Sequence, residues 1–334
     1  SNFGLGVVSG LTQAINTYAI DSDQVTLLSH ATTVVTNAVL EEKGAKTALI
    51  TTRGFRDLLE LRRSARSDLY DLFQDPPLTL IPRHRRLEVT ERIDAAGTVI
   101  KPLNKSEITG LIDELRLLDV EAIAVTLLFS FLNDTHEKQL GSALRTALPD
   151  VPIFLSCEVL PEVREFERTS TTAVCAYVGP ILESYLRTLE SALDGLGLPQ
   201  LHVMGSTGGV FDVNEALRMP VNSIESGPAA GVIAAQLVGR QLNQLDLLSF
   251  DMGGTTAKAS LIRDGQIEVT AEYEVGGSGS QNRWVSGTGH PIRVPVIDLA
   301  EVSAGGGSIA WIDPAGALRV GPHSAGAQPG PVCY

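Results

Sequence analysis

The sequence predicts an α/β protein, and three observations predict it. From Val25 onward, short apolar runs alternate with stretches of helical spacing, as in strands joined by crossover helices. A chain of 334 residues with 43% hydrophobic content can bury more than one core, and its length sets an expectation of two or three domains. Past Leu245 the pattern changes to strands and glycine loops, led by the run Leu247 to Ile262.

Phe3 to Tyr18 reads as a helix leading to a first strand, Val25 to Leu28. Thr32 to Lys43 is a helix with Thr32 or Thr33 as its cap, since a hydroxyl there accepts from the unpaired amides of the first turn. Strand Thr47 to Thr51 and helix Phe55 to Arg63 follow. Ala65 to Asn104 holds Pro76, Pro77, Pro82 and Pro102, so it is expected to be irregular, with short strands at Arg86 to Arg92 and Val99 to Pro102. Helix Ser106 to Leu118, strand Ala122 to Leu128, helix Thr135 to Leu148 and strand Ile153 to Ser156 continue the alternation. Thr169 to Leu193 predicts a long helix, interrupted or restarted at Gly179-Pro180. Strand His202 to Gly205 runs into Ser206-Thr207-Gly208-Gly209, and Gly227 to Leu242 is a helix rich in small residues. The expected division is a lead-in over 1–24, an α/β region over 25–195 and a region over 196–334 that carries the glycine motifs described next.

The chemistry concentrates at Asp251-Met252-Gly253-Gly254-Thr255-Thr256, where one apolar run turns into another. Gly253 and Gly254 let backbone N–H groups approach an anion, and Thr255 and Thr256 add hydroxyl donors. Asp251, at the strand end, can hold a hydrated Mg²⁺ that bridges phosphate oxygens. Neither a P-loop nor a GxGxxG fingerprint is present in this stretch, and the same residues also fit a Gly-Gly hairpin turn that holds no ligand. Ser226-Gly227-Pro228 caps a helix, whose free N–H groups and dipole favour an anion. Close packing explains its small residues equally well. Ala304, Gly305, Gly306 and Gly307 form a glycine turn entering the strand Ile309 to Ile312, and Ser206, Gly208 and Gly209 lie at a strand end, where open α/β sheets place ligands.

Lys and Arg number 26 against 39 Asp and Glu, a net charge of -13 that argues against a nucleic-acid or anionic-membrane surface. Phosphate binding must then rest on backbone amides and Mg²⁺. Cys157, Cys175 and Cys333 are too few and too scattered for a disulfide framework or a CxxC metal site, so a reducing cytoplasm is expected. No apolar run reaches the roughly 20 residues that span a bilayer.

Phe250-Asp251-Met252-Gly253-Gly254-Thr255 resembles the second phosphate motif of the hydantoinase A/5-oxoprolinase family. The likeness extends through Ser226-Gly227-Pro228-Ala229-Ala230-Gly231, Ala304 to Ala310, Gly321 to Ala327 and Pro329 to Tyr334. Upstream, His30-Ala31-Thr32-Thr33, Asn37, Gly54-Phe55-Arg56-Asp57 and Glu165 to Ser170 fall in the family's order, so the resemblance covers nearly the whole chain. It implies the ATP-binding fold of actin, sugar kinases and the large heat-shock chaperones, with its ribonuclease H-like motifs. That fold uses two phosphate hairpins, and residues 1 to 24 hold no first one. With Ser1-Asn2 in place of a Met and a last motif that continues in relatives, the sequence is read as a piece of a longer chain, expected to bind ATP weakly and turn over nothing alone.

The resemblance further implies an A-type subunit that uses ATP and Mg²⁺ to phosphorylate the amide oxygen of a hydantoin, 5-oxoproline or related lactam. A B-type subunit would complete ring opening, in an oligomeric assembly. Asp251 and His30 would be catalytic, Ala304 to Gly307 would pass beside the adenosine, and Ser206, Gly208, Gly209, Thr32 and Thr33 would touch phosphate or substrate. Lys258 stands where many members carry an aspartate; it reads as a point charge near phosphate or as a residue on the outer face of its strand. The ketone carboxylase branch of the family and a non-catalytic, nucleotide-gated binding subunit are the alternatives.

Overall fold

The computed structural model describes residues 3–64, 70–71, 73, 78–254, 256–276, 289–302, 304–325 and 330. Its largest parallel sheet has four strands in the order Arg86–Val89, Thr47–Thr52, Ala122–Thr126, Ile153–Leu155. Thr47–Thr52 and Ala122–Thr126 are buried at every position, as central parallel strands covered on both faces must be. On one face Ile108, Leu111 and Leu115 of helix Lys105–Leu118 and Leu140 and Leu144 of helix Thr135–Ala147 meet Ile50, Ile123 and Val125. The other face packs on helix Glu165–Asp194, whose Val174 and Val178 share a core with Leu49 and Ala124.

That helix is the spine of the molecule. Farther along it, Leu182, Leu186 and Leu189 join a core with Leu201 and Val203 from a second sheet, in which Leu28–His30 runs parallel to Leu201–Met204 and Val210–Asp212 closes antiparallel. Helix Ser226–Gln241 then buries Ala229 and Val232 against Ile262 of a third sheet and against Ile297 and Leu299 just before that sheet's last strand. This last sheet holds the antiparallel pair Leu247–Met252 and Ala257–Arg263, with Gln266–Ile267 and Ala300–Val302 also on the latter strand. Ser308–Ile312 and Leu318–Ser324 form a separate ribbon. Among the described residues no helix is long and apolar enough to cross a membrane.

Three expectations shift. The long helix starts at Glu165 and runs 30 residues with Pro180 inside it, unbroken. Val174 to Gly179 are all buried, and the Phe154 ring fills the space a side chain on Gly179 would need, so tertiary packing outweighs one lost hydrogen bond. The first strand lies at Leu28–His30 instead of Val25 to Leu28, because Asp21 caps a 3₁₀ turn over Ser22–Gln24 and pairing begins with Leu28 opposite Leu201. Helix Phe55 to Arg63 shrinks to Leu58–Leu61, bounded by positive φ at Gly54 and Arg62.

Candidate functional site

The predicted hairpin is present in the backbone. Asp251 pairs with Lys258 and Met252 with Ala257, and the Gly253 N–H donates to the Thr256 carbonyl at 2.9 Å to close the turn. Thr255 lies outside the described residues. The glycine turn expected beside it is bonded to it directly, since the N–H groups of Gly306 and Gly307 donate to the carbonyls of Gly253 and Gly254 at 2.9 and 2.8 Å. Gly305 N–H donates to Ser308 Oγ at 2.9 Å, and Ala304 precedes it, half-buried. Asp251 is exposed at the hairpin edge.

Behind the hairpin stands the N-terminus of helix Ser226–Gln241. Ser226 opens the helix instead of capping it, and its hydroxyl donates to the Thr32 carbonyl at 2.9 Å while accepting from the Thr32 N–H at 3.1 Å. A side chain on Gly227 would press on the Thr33 methyl group at 3.2 Å. The His30-to-Thr33 turn is thereby pinned against the helix end, and it borders a cavity of about 460 Å³ lined by Thr32, Thr33, Asn37, Tyr185 and Gly227 among others. His30 Nε2 lies 2.8 Å from the Tyr185 hydroxyl, and burial lowers its pKa.

Ser206 is buried, with Oγ at 2.6 Å from the carbonyls of both Asn222 and Ile224, so its hydroxyl is committed to main chain. Gly208 has φ +87, and a Cβ there would fall 1.9 Å from Ile233 Cδ1, so the loop requires glycine for close approach to the helix. Gly209 offers its carbonyl to the Gly205 N–H at 2.7 Å. The structure brings Asp251, Gly253, Gly254 and Thr256 together with Gly305 to Gly307, and Ser226 and Gly227 together with Thr32 and Thr33.

Lys258 joins these two groups. Its ammonium contacts Glu225 Oε2 and lies 4.0 Å from Glu301 Oε2, almost wholly buried. Glu225, directly before the helix, was not singled out in the sequence. The available signal was the alternation Lys258, Ser260, Ile262, which puts Lys258 on the helix-facing side of its strand.

A second polar cluster sits at the C-terminal ends of the four parallel strands. Arg168 is completely buried and donates to Ser156 Oγ (3.1 Å), to the carbonyls of Glu162 (3.1 Å) and Leu127 (2.8 Å) and to Glu165. Glu137 accepts from the Leu127 N–H, Ser156 Oγ and the Cys157 N–H, and burial pushes its pKa up. In the Glu165-to-Ser170 stretch, Glu167 is buried and pairs with Arg63.

Of the loop Gly276 to His290, residues 277–288 lie outside the described residues, as do Ser303, 326–329 and 331–334 from the motifs near the end of the chain. At the edge of that loop, burial and the Arg62 guanidinium push the His290 pKa from 6.5 to about 4. The unfolded chain therefore binds this proton where the folded protein does not. The stability that results is complete above pH 6.5 and is lost as pH falls to about 4, a contribution of up to about 3 kcal/mol. Denaturation of His290→Gln at about pH 7 and pH 4.5 is expected to show a smaller acid loss than wild type; equal losses would remove His290 from the acid response.

Fold and site together define a mixed α/β protein on parallel sheets, with two glycine loops joined beside a helix N-terminus. Two family models match it: the hydantoinase/oxoprolinase N-terminal region over residues 1–148 and hydantoinase/oxoprolinase over residues 168–334. The chain belongs to the hydantoinase/oxoprolinase family. It is 46% identical to an uncharacterised protein of Methanocaldococcus jannaschii, covering 97% of this chain and 48% of that protein. It is 36% identical to caprolactamase subunit alpha of Pseudomonas jessenii, covering 92% of this chain and 43% of the relative. The solved ATP-dependent caprolactamase from that organism superposes with a TM-score of 0.78 at 33% identity, over 99% of this chain and 47% of that one. A nucleotide-free acetone carboxylase, whose structure concerns ATP-dependent acetone carboxylation, gives 0.79 at 26% identity, over 97% and 46%. The chain thus spans about half or less of the length of these relatives.

Proposed function

We propose that this chain is the ATP-using part of an A-type subunit that activates a cyclic amide, such as a hydantoin, 5-oxoproline or another lactam, before ring opening. The observation that carries the reading is the pair of hydrogen bonds tying the Gly253-Gly254 turn to the Gly306-Gly307 turn, which sets two amide-rich loops beside a helix N-terminus. Such a donor set, with an exposed carboxylate at its edge and no cluster of cationic side chains, fits a metal-bound polyphosphate. Among the described residues no group of three or more His, Cys, Asp and Glu side chains is placed to hold a metal by itself, so Mg²⁺ is assigned to Asp251 through water and nucleotide.

In this reading the amides of Gly254 to Thr256 and of Ser226 and Gly227 donate to phosphate oxygens, the Gly253 N–H being engaged in closing the turn, and Ala304 to Gly307 flank the adenosine. Bound ATP supplies an activated phosphoryl group. The cavity beside Thr32, Thr33 and Tyr185 takes the cyclic amide, with His30 holding the Tyr185 hydroxyl in place. Phosphoryl transfer needs mainly positioning and charge stabilisation, which these loops provide. The names of the caprolactamase and the hydantoinase/oxoprolinase models support ATP use and the lactam reading, and the relative's designation as a subunit alpha supports a partner subunit; an ATP-binding fold of the actin and sugar-kinase type and a B-type partner in an oligomer belong to this proposal.

The similarity to acetone carboxylase favours ATP-dependent ketone carboxylation as the second reading. The full-length protein, alone and with a B-type subunit, should be assayed for phosphate release with hydantoin, 5-oxoproline and caprolactam, and with ketones plus bicarbonate. Lactam-dependent release that leads to ring opening only with the partner is expected. Ketone-dependent release alone selects the second reading, and ring opening by the single polypeptide at the rate of the pair contradicts the A-type assignment.

A further inference from the structure

Glu225 combines three features that packing does not explain. It holds a left-handed backbone (φ 59) that non-glycine residues seldom adopt, and its N–H donates to Thr36 Oγ1 at 3.2 Å, which fixes that conformation. Its side chain is 1% exposed, yet among the described residues Oε1 has no hydrogen-bond partner. Its other oxygen, Oε2, pairs with Lys258, which stands opposite Asp251 on the phosphate hairpin. Backbone strain and a buried, unpartnered carboxylate oxygen each cost free energy, and both fall at the N-terminus of a 16-residue helix facing the hairpin.

A carboxylate oxygen accepts a hydrogen bond or ligates a cation, and Lys258 already balances the charge of this one, so a hydrogen-bond donor is the partner assigned to Oε1. A phosphate oxygen would be repelled by Glu225, and Lys258 already occupies Oε2. The partner that fits is a neutral N–H or O–H donor, which the ATP reading sets beside the phosphates.

We propose that Glu225 is a catalytic residue that accepts a hydrogen bond, on Oε1, from the group attacking the terminal phosphate, and that Lys258 is the positioning residue that aims its carboxylate. The inference rests on the ATP reading above. Two donors share this chemistry, a lactam amide N–H and a water molecule, and substrate dependence separates them.

The test uses the full-length protein with its partner subunit and the variants Glu225→Gln, Lys258→Met and the two combined. MgATP affinity is read by calorimetry, thermal stability without nucleotide by melting, and kcat and KM for MgATP with and without lactam. Glu225→Gln is expected to bind MgATP within about threefold of wild type while kcat falls about 10²-fold, the usual scale for losing a positioned acid-base group. A fall in lactam-free ATP hydrolysis as well identifies water as the donor; a fall confined to lactam-dependent turnover identifies the amide. Lys258→Met is expected to lower the melting temperature, by leaving a buried carboxylate unpaired, and the double variant to recover most of that loss. Turnover of Glu225→Gln within threefold of wild type, or loss of MgATP binding along with turnover, overturns the assignment. Absence of MgATP binding by the wild type overturns the ATP reading itself.

Discussion

Asp251→Asn in the full-length protein is expected to leave the fold intact and lower kcat by about 10²-fold or more, the scale of losing one electrostatic transition-state contact. Asp251 ends the strand Leu247–Met252 and is exposed, so the neutral isostere disturbs no core contact. Its pairing opposite Lys258 on an antiparallel ladder contributes at most about 1 kcal/mol, and Lys258 is already engaged by Glu225. The substitution therefore removes mainly the charge assigned to hydrated Mg²⁺. Turnover measured across a Mg²⁺ series should show the kcat loss with an unchanged melting curve. Full turnover in the variant would return Gly253-Gly254 to the status of an ordinary hairpin turn.

Arg168→Met is expected to destabilise the protein by about 3–5 kcal/mol, because removing one partner of a buried charge network strands the others. The guanidinium is wholly buried and joins two carbonyls, the Ser156 hydroxyl and Glu165, with its face over the Phe131 ring at 5.3 Å. These groups come from three segments that converge where the strands Ala122–Thr126 and Ile153–Leu155 end. Methionine fills comparable volume but offers no donors. Arg168→Lys restores the charge without the planar fork and should recover only part of the loss. Chemical denaturation of the full-length protein reads both variants, and a loss under about 1 kcal/mol for Arg168→Met would show that these partners find water instead.

What could be read in advance follows from local physics. Ala48 to Ile50 and Ala122 to Val125 are unbroken apolar runs inside strands covered on both faces, and such runs declare themselves in one dimension. The hairpin was legible because two glycines interrupt two strand-like runs, and its register agrees with that reading. The unbroken helix through Pro180 was not legible, since the packing that overrides the proline comes from Phe154, distant in sequence. Glu225 and Lys258 lie 33 residues apart, and each alone looks like a solvent-facing charge. The same holds for Arg168, whose main-chain acceptors lie up to 41 residues away. Charge burial is a property of the assembled fold, and the sequence carried only the alternation around Lys258 as a hint.

The most direct measurement is amide hydrogen exchange on the full-length protein with and without MgATP. The account predicts protection concentrated at Gly254 to Thr256 and in the first turn of the helix at Ser226, because those amides are assigned to the nucleotide, with a smaller gain at Gly305 to Gly307, whose amides are already hydrogen-bonded within the fold. MgATP bound with protection elsewhere and none at these three segments would contradict it.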